Sequence, residues 1–192
     1  MSNLFVVTKC QVSSFLGIQI VNISNDSIFI HQSAYVKKIL ERFNMSAAKA
    51  LSLPMERSTN EDCGDDLDNT VPYQAAVGSL LYLSNGTRPD ITFAVNTAAR
   101  FMQSPKVSHW GMVKRILRYL IGTDSFGILY SPAPTPKRLV IYSDADFAGD
   151  EETRRSTTGY TSLYGGGAIT WASQRQSSIA LSTTEAEFVA AS

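Results

Sequence analysis

The most constraining pattern lies near the C-terminal end of the chain. Residues 139–143 form a strongly apolar, β-branched run that leads directly into Asp144. Two further β-favouring stretches, residues 158–163 and 168–172, are joined by three consecutive glycines, which favour a hairpin turn over a phosphate-binding loop. A helix that carries Glu187 follows. The pattern therefore predicts a three-stranded meander with one acid at the end of its first strand and a second acid on the next helix.

Composition excludes several classes of protein. The hydrophobic fraction of 44% is normal for a globular chain of one or two domains. Seventeen basic and seventeen acidic residues cancel, so any attraction to nucleic acid must come from local basic patches. Cys10 and Cys63 lack metal-ligand spacing and are expected to be free thiols. With no signal peptide and no apolar run near the ~20 residues that span a bilayer, we expect an intracellular protein, cytoplasmic or nuclear.

Residues 1–70 divide into a folded segment and a linker. Strand-like residues 15–20 and 28–31 flank turn formers, and Ser33 is a suitable N-cap for a helix over residues 34–43. This pattern predicts a hairpin followed by a helix within residues 1–55. Residues 56–70 then carry six acidic side chains against one arginine. An acidic cluster can bind metal, but this composition favours a solvated linker.

Residues 71–136 have helical periodicity. We predict a first helix from about Val71, a second capped by Asp90, and a third over residues 109–120, capped by Ser108 and closed by Gly122. Three prolines near residue 134 form a spacer, and the β-rich segment of residues 137–192 follows. The predicted organisation is thus four segments: 1–55, 56–70, 71–136 and 137–192.

Several strings, in one consistent order, resemble a known family. Those that resemble the C-terminal part of a copia-type retrotransposon reverse transcriptase are residues 15–18, 72–83 and 87–91. Those that resemble the attached ribonuclease H domain are residues 142–146, 155–160 and 182–188. The resemblance implies an α+β fold: a small hairpin and helix, connecting helices, and a truncated ribonuclease H-like meander with the start of its first helix. The aromatic-x-Asp-Asp polymerase motif of this family would lie upstream of Phe15 and has no counterpart here.

The resemblance also implies a chemistry. Ribonucleases H hydrolyse the RNA strand of an RNA–DNA hybrid with two Mg²⁺ ions about 3.5–4 Å apart, held by carboxylates. Asp144 matches the strand acid that bridges both ions, and Glu187 matches the helix acid. Glu187 is preferred to Glu185 because two apolar residues and then alanine follow it, and Glu185 is expected at the helix N-terminus. The family's further acids have no match, so the site is expected to be incomplete and this chain alone inactive.

Binding without catalysis remains an alternative function. Guanidinium and hydroxyl groups that suit phosphate contacts are Arg154, Arg155, Ser156, Thr157 and Arg175, although each also suits an ordinary polar turn. Further basic residues of a non-catalytic nucleic-acid-binding remnant would be Lys114, Arg115 and Arg118. A third possibility is a relic without function. The partners implied are an RNA–DNA hybrid and the remainder of a Pol polyprotein.

Two expectations concern the first strand of the meander. Residues 144–150 resemble a calcium loop only weakly, because Phe147 and Ala148 replace oxygen ligands, so Asp146 and Asp150 are expected to face solvent. If the later parallel strand of the family is missing, the edge of residues 139–143 is uncovered. An uncovered apolar edge favours self-association.

Overall fold

The computed structural model describes residues 13–24, 26–56, 64–132, 138–150 and 153–192. The two cysteines lie outside these ranges, as do residues 57–63 of the acidic linker. The described residues form helices and two antiparallel sheets, which confirms the α+β prediction. None of the helices in these ranges is long and apolar enough to cross a membrane.

The N-terminal half combines one sheet with four helices. The strands are β1 (Ser14–Phe15), β2 (Ile18–Ser24), β3 (Ser27–His31) and β4 (Gly127–Tyr130), in the order β1-β2-β3-β4. The helices are α1 (Ser33–Arg42), α2 (Tyr73–Gly86), α3 (Thr92–Ala99) and α4 (Val107–Gly122), with a 3₁₀ helix at Pro89–Ile91. Apolar side chains from all four α-helices form one core, so the segments on either side of the acidic linker pack together. The exact segment boundaries stay predictions.

The first sheet differs from the prediction in two ways. Residues 15–20 are not one strand, because Leu16 and Gly17 adopt positive φ (48° and 75°) and turn the chain between β1 and β2. Strand β4 was not predicted, and it pairs with β3 from Ile28 opposite Tyr130 to His31 opposite Gly127. This pairing joins residues about a hundred positions apart, which local sequence patterns do not encode.

The four predicted helix caps were wrong, and Gly122 is the last residue of α4, without a positive φ, so it is not the left-handed cap. Gln32, not Ser33, precedes α1. Asp90 lies inside the 3₁₀ helix and bonds to Arg88 instead of capping α3. Helix α4 begins at Val107 after Lys106, whose backbone N–H donates to His109 Nδ1 at 2.9 Å, so Ser108 is not the cap. At Asp90 and at the start of α4, side-chain hydrogen bonds with Arg88 and His109 take the place of the predicted caps.

The C-terminal part contains the predicted meander. Strands β5 (Val140–Asp146), β6 (Thr157–Tyr164) and β7 (Gly167–Arg175) form a separate antiparallel sheet, and α5 (Thr183–Ala191) follows. The predicted glycine hairpin is confirmed, since Gly165 and Gly166 adopt φ of 59° and 77° between β6 and β7. Strand β5 continues to Asp146, so Asp144 lies within the strand instead of at its end. Strand β5 is an edge of the described sheet, with Ile141 61% exposed.

Hydrogen bonds tie the second sheet to the first half of the molecule. At one end of the β6–β7 hairpin, Tyr130 Oη donates to the Ala168 carbonyl at 2.6 Å, and Ser131 N–H donates to the Gly165 carbonyl at 2.8 Å. Farther along β7, the Trp171 indole N–H donates to the α2 carbonyl of Ser84 at 3.0 Å. Asn96 Nδ2 of α3 donates to the Ser173 carbonyl at 3.0 Å. The contacts therefore run along most of β7.

Candidate active site

The strand register decides which way Asp144 faces. Side chains alternate across a strand, and residues opposite each other in an antiparallel pair share a face. Asp144 pairs with Gly159, two positions from Thr157, whose hydroxyl accepts a hydrogen bond from Arg100 Nη2 at 3.2 Å. Arg100 follows α3, so this is the face of the sheet that meets the connecting helices. Asp144 is exposed there.

Helix α5 packs on the opposite face. Gln176 Nε2 donates to Thr158 Oγ1 at 3.1 Å and to the Ala186 carbonyl at 2.9 Å. Thr158 alternates with Thr157 and so points away from the face of Asp144. Within α5, Ala186 is fully buried, whereas the next residue, Glu187, is exposed. The register therefore points the Asp144 side chain to the face of the sheet that α5 does not cover, whereas Glu187 is carried by α5 on the other face.

The donor set does not fit a two-metal centre in this conformation. Such a centre needs several carboxylates converging on two ions. Within the described ranges no group of three or more His, Cys, Asp or Glu side chains is placed to hold a metal ion. Asp146 shares the face of Asp144, but two carboxylates bind Mg²⁺ weakly because the ion holds its water tightly. The roles of Asp144 and Glu187 as metal ligands stay predictions.

The predicted role of Glu185 at the helix N-terminus is confirmed. Ser182 is the N-cap of α5, and its Oγ accepts the Glu185 N–H at 3.1 Å. The Glu185 carboxylate accepts the Leu181 N–H in return, at 2.7 Å. This reciprocal pair satisfies amide groups that begin the helix. Glu185 is thus engaged locally, as its position in the sequence indicated.

The candidate phosphate-binding residues are mostly engaged within the protein. Ser156 is fully buried, and its Oγ accepts the Ala148 N–H at 3.0 Å, so the hydroxyl has no open approach for a phosphate. Thr157 is 5% exposed and accepts the bond from Arg100 described above. Arg175 pairs with Asp150. Arg154 is exposed, with φ of 55°, and Arg155 is half-buried.

Asp150 is the residue that sequence reasoning misplaced. It was expected to face solvent, but it is 7% exposed and receives Arg175 Nη1 at 2.8 Å and Arg100 Nη1 at 3.4 Å. The Thr153 N–H donates to its other oxygen at 2.8 Å. Burial alone would raise the pKa of Asp150, but the hydrogen bonds from Arg175 and Thr153 outweigh it and hold the pKa at about 2. Asp150 therefore joins α3 to β7 as a carboxylate.

A buried ion pair fixes the start of the 3₁₀ helix. Arg88 is 1% exposed and donates from Nε and Nη2 to the Asp90 carboxylate at 2.9 and 2.8 Å. Its Nη1 and Nη2 also donate to Thr123 O and Oγ1 at 2.8 and 2.7 Å. Tyr119 Oη donates to Asp90 at 2.8 Å; burial and then this bond raise the pKa of Tyr119. The Arg88-Pro89-Asp90 string of the sequence thus joins the end of α2 to the end of α4.

Comparison with the sequences of known proteins places this chain in a family. The chain is 42% identical, over 185 residues, to the Retrovirus-related Pol polyprotein from transposon TNT 1-94 of Nicotiana tabacum, a match that covers 92% of the chain and 14% of that protein. It is 35% identical over 178 residues to the uncharacterized mitochondrial protein AtMg00810 of Arabidopsis thaliana, covering 92% of the chain and 73% of that protein. The chain belongs to the copia-type retrotransposon Pol family. The resemblance found in its sequence motifs is confirmed.

Other comparisons define the limits of this assignment. The Pol chain spans about one seventh of the length of the TNT 1-94 polyprotein. It is also 48% identical over 122 residues to the Secreted RxLR effector protein 161 of Plasmopara viticola, which covers 64% of the chain and 85% of that protein. No family model matches the chain, and no solved structure matches it.

Proposed function

We propose that this part of Pol is a connector: it holds a ribonuclease H-like sheet in one position against helices that continue a reverse transcriptase. The supporting observation is the set of hydrogen bonds between β7 and the first half of the molecule, made by Tyr130, Ser84 and Asn96. The ion pairs of Arg100 and Arg175 with the buried Asp150 add to these contacts. In the longer Pol protein, this fixed position would present the RNA strand of a hybrid to the nuclease.

Hydrolysis itself is assigned to that longer protein. Mg²⁺ would supply the activated water and would stabilise the leaving oxygen. Asp144 and Glu187 remain the proposed ligands, but the Asp144 side chain lies on the face of the sheet that α5, which carries Glu187, does not cover. We therefore expect no metal-dependent cleavage of an RNA–DNA hybrid by this chain alone.

A cleavage assay tests this expectation. A labelled hybrid is incubated with Mg²⁺ or Mn²⁺ and with the wild-type chain, Asp144→Asn or Glu187→Gln. Asp146→Asn is the matched control, since Asp146 lies on the same strand and face as Asp144. Cleavage by the wild-type chain that is lost in the first two variants and kept in the control would show that this chain alone is active through these two acids, and the proposal would fail on this point.

The connector role is tested by the unfolding transition. Trp110 lies in α4 and Trp171 lies in β7, and these are the two tryptophans of the chain. In a Trp110→Phe variant, fluorescence reports Trp171 of β7 at its contact with Ser84 of α2, whereas circular dichroism at 222 nm reports mainly the helices. Coincident urea midpoints are expected if both halves unfold together. Separate midpoints would show that the sheet and the helices unfold independently, which would contradict the connector role.

Nucleic-acid binding without catalysis is the second candidate function. The exposed Arg154 favours it, but several other cations are engaged internally. Arg115 pairs with Glu56 at 2.6 Å, and Arg118 Nε donates to the Lys49 carbonyl at 2.7 Å. Affinity for a hybrid that falls steeply with salt, and falls further in Arg154→Ala, would support this function. Binding that is indifferent to both would exclude it.

A further inference from the structure

A cleft of about 640 Å³ separates the second sheet from the connecting helices. Its floor is the middle of β6, and one wall is β5 with Asp144 and Asp146. Trp171 of β7 and Phe93 of α3 line the other sides. The volume falls in the range of small-ligand sites, which commonly lie where two units meet.

Gly159 at the centre of the floor makes the cleft deep. It pairs with Asp144 on one side and with Ser173 on the other. A Cβ built on Gly159 would meet no atom within 4 Å, and its φ is not in the left-handed region. The backbone conformation therefore does not require a glycine here. The space that a larger side chain would fill is part of the cleft.

The charge of the cleft has one sign. Asp144 and Asp146 both line it, and no lysine or arginine among the described residues does. The charge of Asp90, which also lines it, is offset by the buried Arg88 behind it. Arg100 bonds to Thr157, which lines the cleft. It shares the single Asp150 carboxylate with Arg175. Asp144 and Asp146 together outweigh the one positive charge left over, so the field attracts a cation and repels a phosphate.

Aromatic rings line the same space. Tyr142, Phe93 and Trp171 contribute, with Tyr142 58% and Phe93 45% exposed. Aromatic faces attract cations, and a planar guanidinium stacks on them better than an ammonium does. The same guanidinium also forms paired hydrogen bonds with a carboxylate.

An unpaired polar group supplies independent support for a ligand. Thr92, at the start of α3, is 5% exposed and lines the cleft. Its buried Oγ1 has no hydrogen-bond partner within the described part of the chain. Since an unsatisfied buried hydroxyl is unfavourable, a donor from a bound group would relieve it.

We propose that this cleft binds the guanidinium side chain of an arginine presented by a partner peptide. The guanidinium lies among the aromatic rings, its charge faces Asp144, and its N–H groups include a donor for Thr92. This binding uses the face of the sheet that α5 does not cover, and it shares Asp144 with the metal site proposed for the longer Pol protein.

The test uses N-acetyl-arginine amide as the probe and Trp171 fluorescence in the Trp110→Phe variant as the signal. N-acetyl-norleucine amide is the uncharged control ligand, and Mg²⁺ alone is the competing cation. Asp144→Asn should weaken binding about three- to fivefold. Gly159→Val, which fills the floor and suits a strand, should weaken it tenfold or more. Glu187→Gln, on the opposite face, is the matched charge control. Circular dichroism establishes that each variant is folded.

Saturable binding of the arginine probe that is lost in Gly159→Val, weakened in Asp144→Asn and kept in Glu187→Gln supports the proposal. Absence of binding overturns it, as does equal binding of the norleucine compound or indifference to Gly159→Val. A Trp171 response to Mg²⁺ alone, abolished by Asp144→Asn, overturns it in favour of a metal. Whether or not the arginine probe binds, the unfolding test of the connector role gives its own result.

Discussion

The ion pair of Arg88 and Asp90 predicts unequal losses of stability when one or the other partner is removed. Arg88 is 1% exposed, whereas the Asp90 side chain is 32% exposed. Removing Asp90 leaves a guanidinium buried without its anion. Removing Arg88 leaves a carboxylate that water can still reach. The two truncations should therefore differ, although they break the same pair.

The contacts give the expected magnitudes. Breaking a buried pair so that one charge is left uncompensated costs about 3–5 kcal/mol, and we expect a loss of this size in Asp90→Ala. Arg88→Met keeps much of the side-chain volume but leaves two oxygens of Thr123 without their donors. Its expected loss is about 1.5–3 kcal/mol. Asp90→Ala should thus be the less stable variant.

Urea unfolding followed by circular dichroism measures both losses. The control is Glu56→Gln, which breaks the pair of Glu56 with Arg115. Since the Glu56 side chain is 59% exposed, its loss should stay below about 1 kcal/mol. If Asp90→Ala lowers the free energy of unfolding no more than Arg88→Met does, or no more than the control does, the burial of Arg88 does not determine the size of the loss.

Three further results are expected. Because the pKa of Asp150 lies at about 2, below its ordinary value of 3.8, its stabilisation is complete above about pH 4 and is lost as the pH falls through 2. Asp150→Asn should therefore lower the free energy of unfolding by about 1–2 kcal/mol at pH 7 and by little at pH 2, in urea titrations; equal losses would refute this. Gly127→Ala should destabilise the protein by about 2 kcal/mol or more in thermal melts, because a Cβ there overlaps the Ile30 carbonyl. Gly78→Ala is the matched control: it has open space on α2 and should stabilise the protein by about 0.5–1 kcal/mol. Ile141→Lys, on the exposed edge of β5, should reduce self-association in sedimentation velocity, and unchanged association would exclude this edge as the contact.

Elements with local signals were predicted well from the sequence. The glycine hairpin between β6 and β7 needs positive φ, which glycine supplies, so its signal is contained in three residues. Glu185 follows the N-cap Ser182 by three positions, which is the spacing of a capping box. The apolar stripe of α1 likewise buries Val36, Ile39 and Leu40, as helical periodicity requires.

Features that depend on distant residues were not predicted. Strand β4 needs β3, far away in sequence, to become part of a sheet. Asp150 has a local signal only in its bond to the Thr153 N–H, while its arginine partners lie 25 and 50 positions away. Alternation along β5 could have shown that Asp144 shares a face with Asp146. It could not have shown which face α5 covers, because that depends on the crossing from β7 through Gln176.

The connector role is tested most directly by a distance measured between the two halves. Spin labels are attached at Lys38→Cys on α1 and Thr170→Cys on β7, two exposed positions, with Cys10 and Cys63 replaced by serine. Double electron–electron resonance then gives the distribution of distances between them. A single narrow distribution is expected if the contacts along β7 hold the sheet against the helices. A broad or multiple distribution in the folded chain would contradict the connector role.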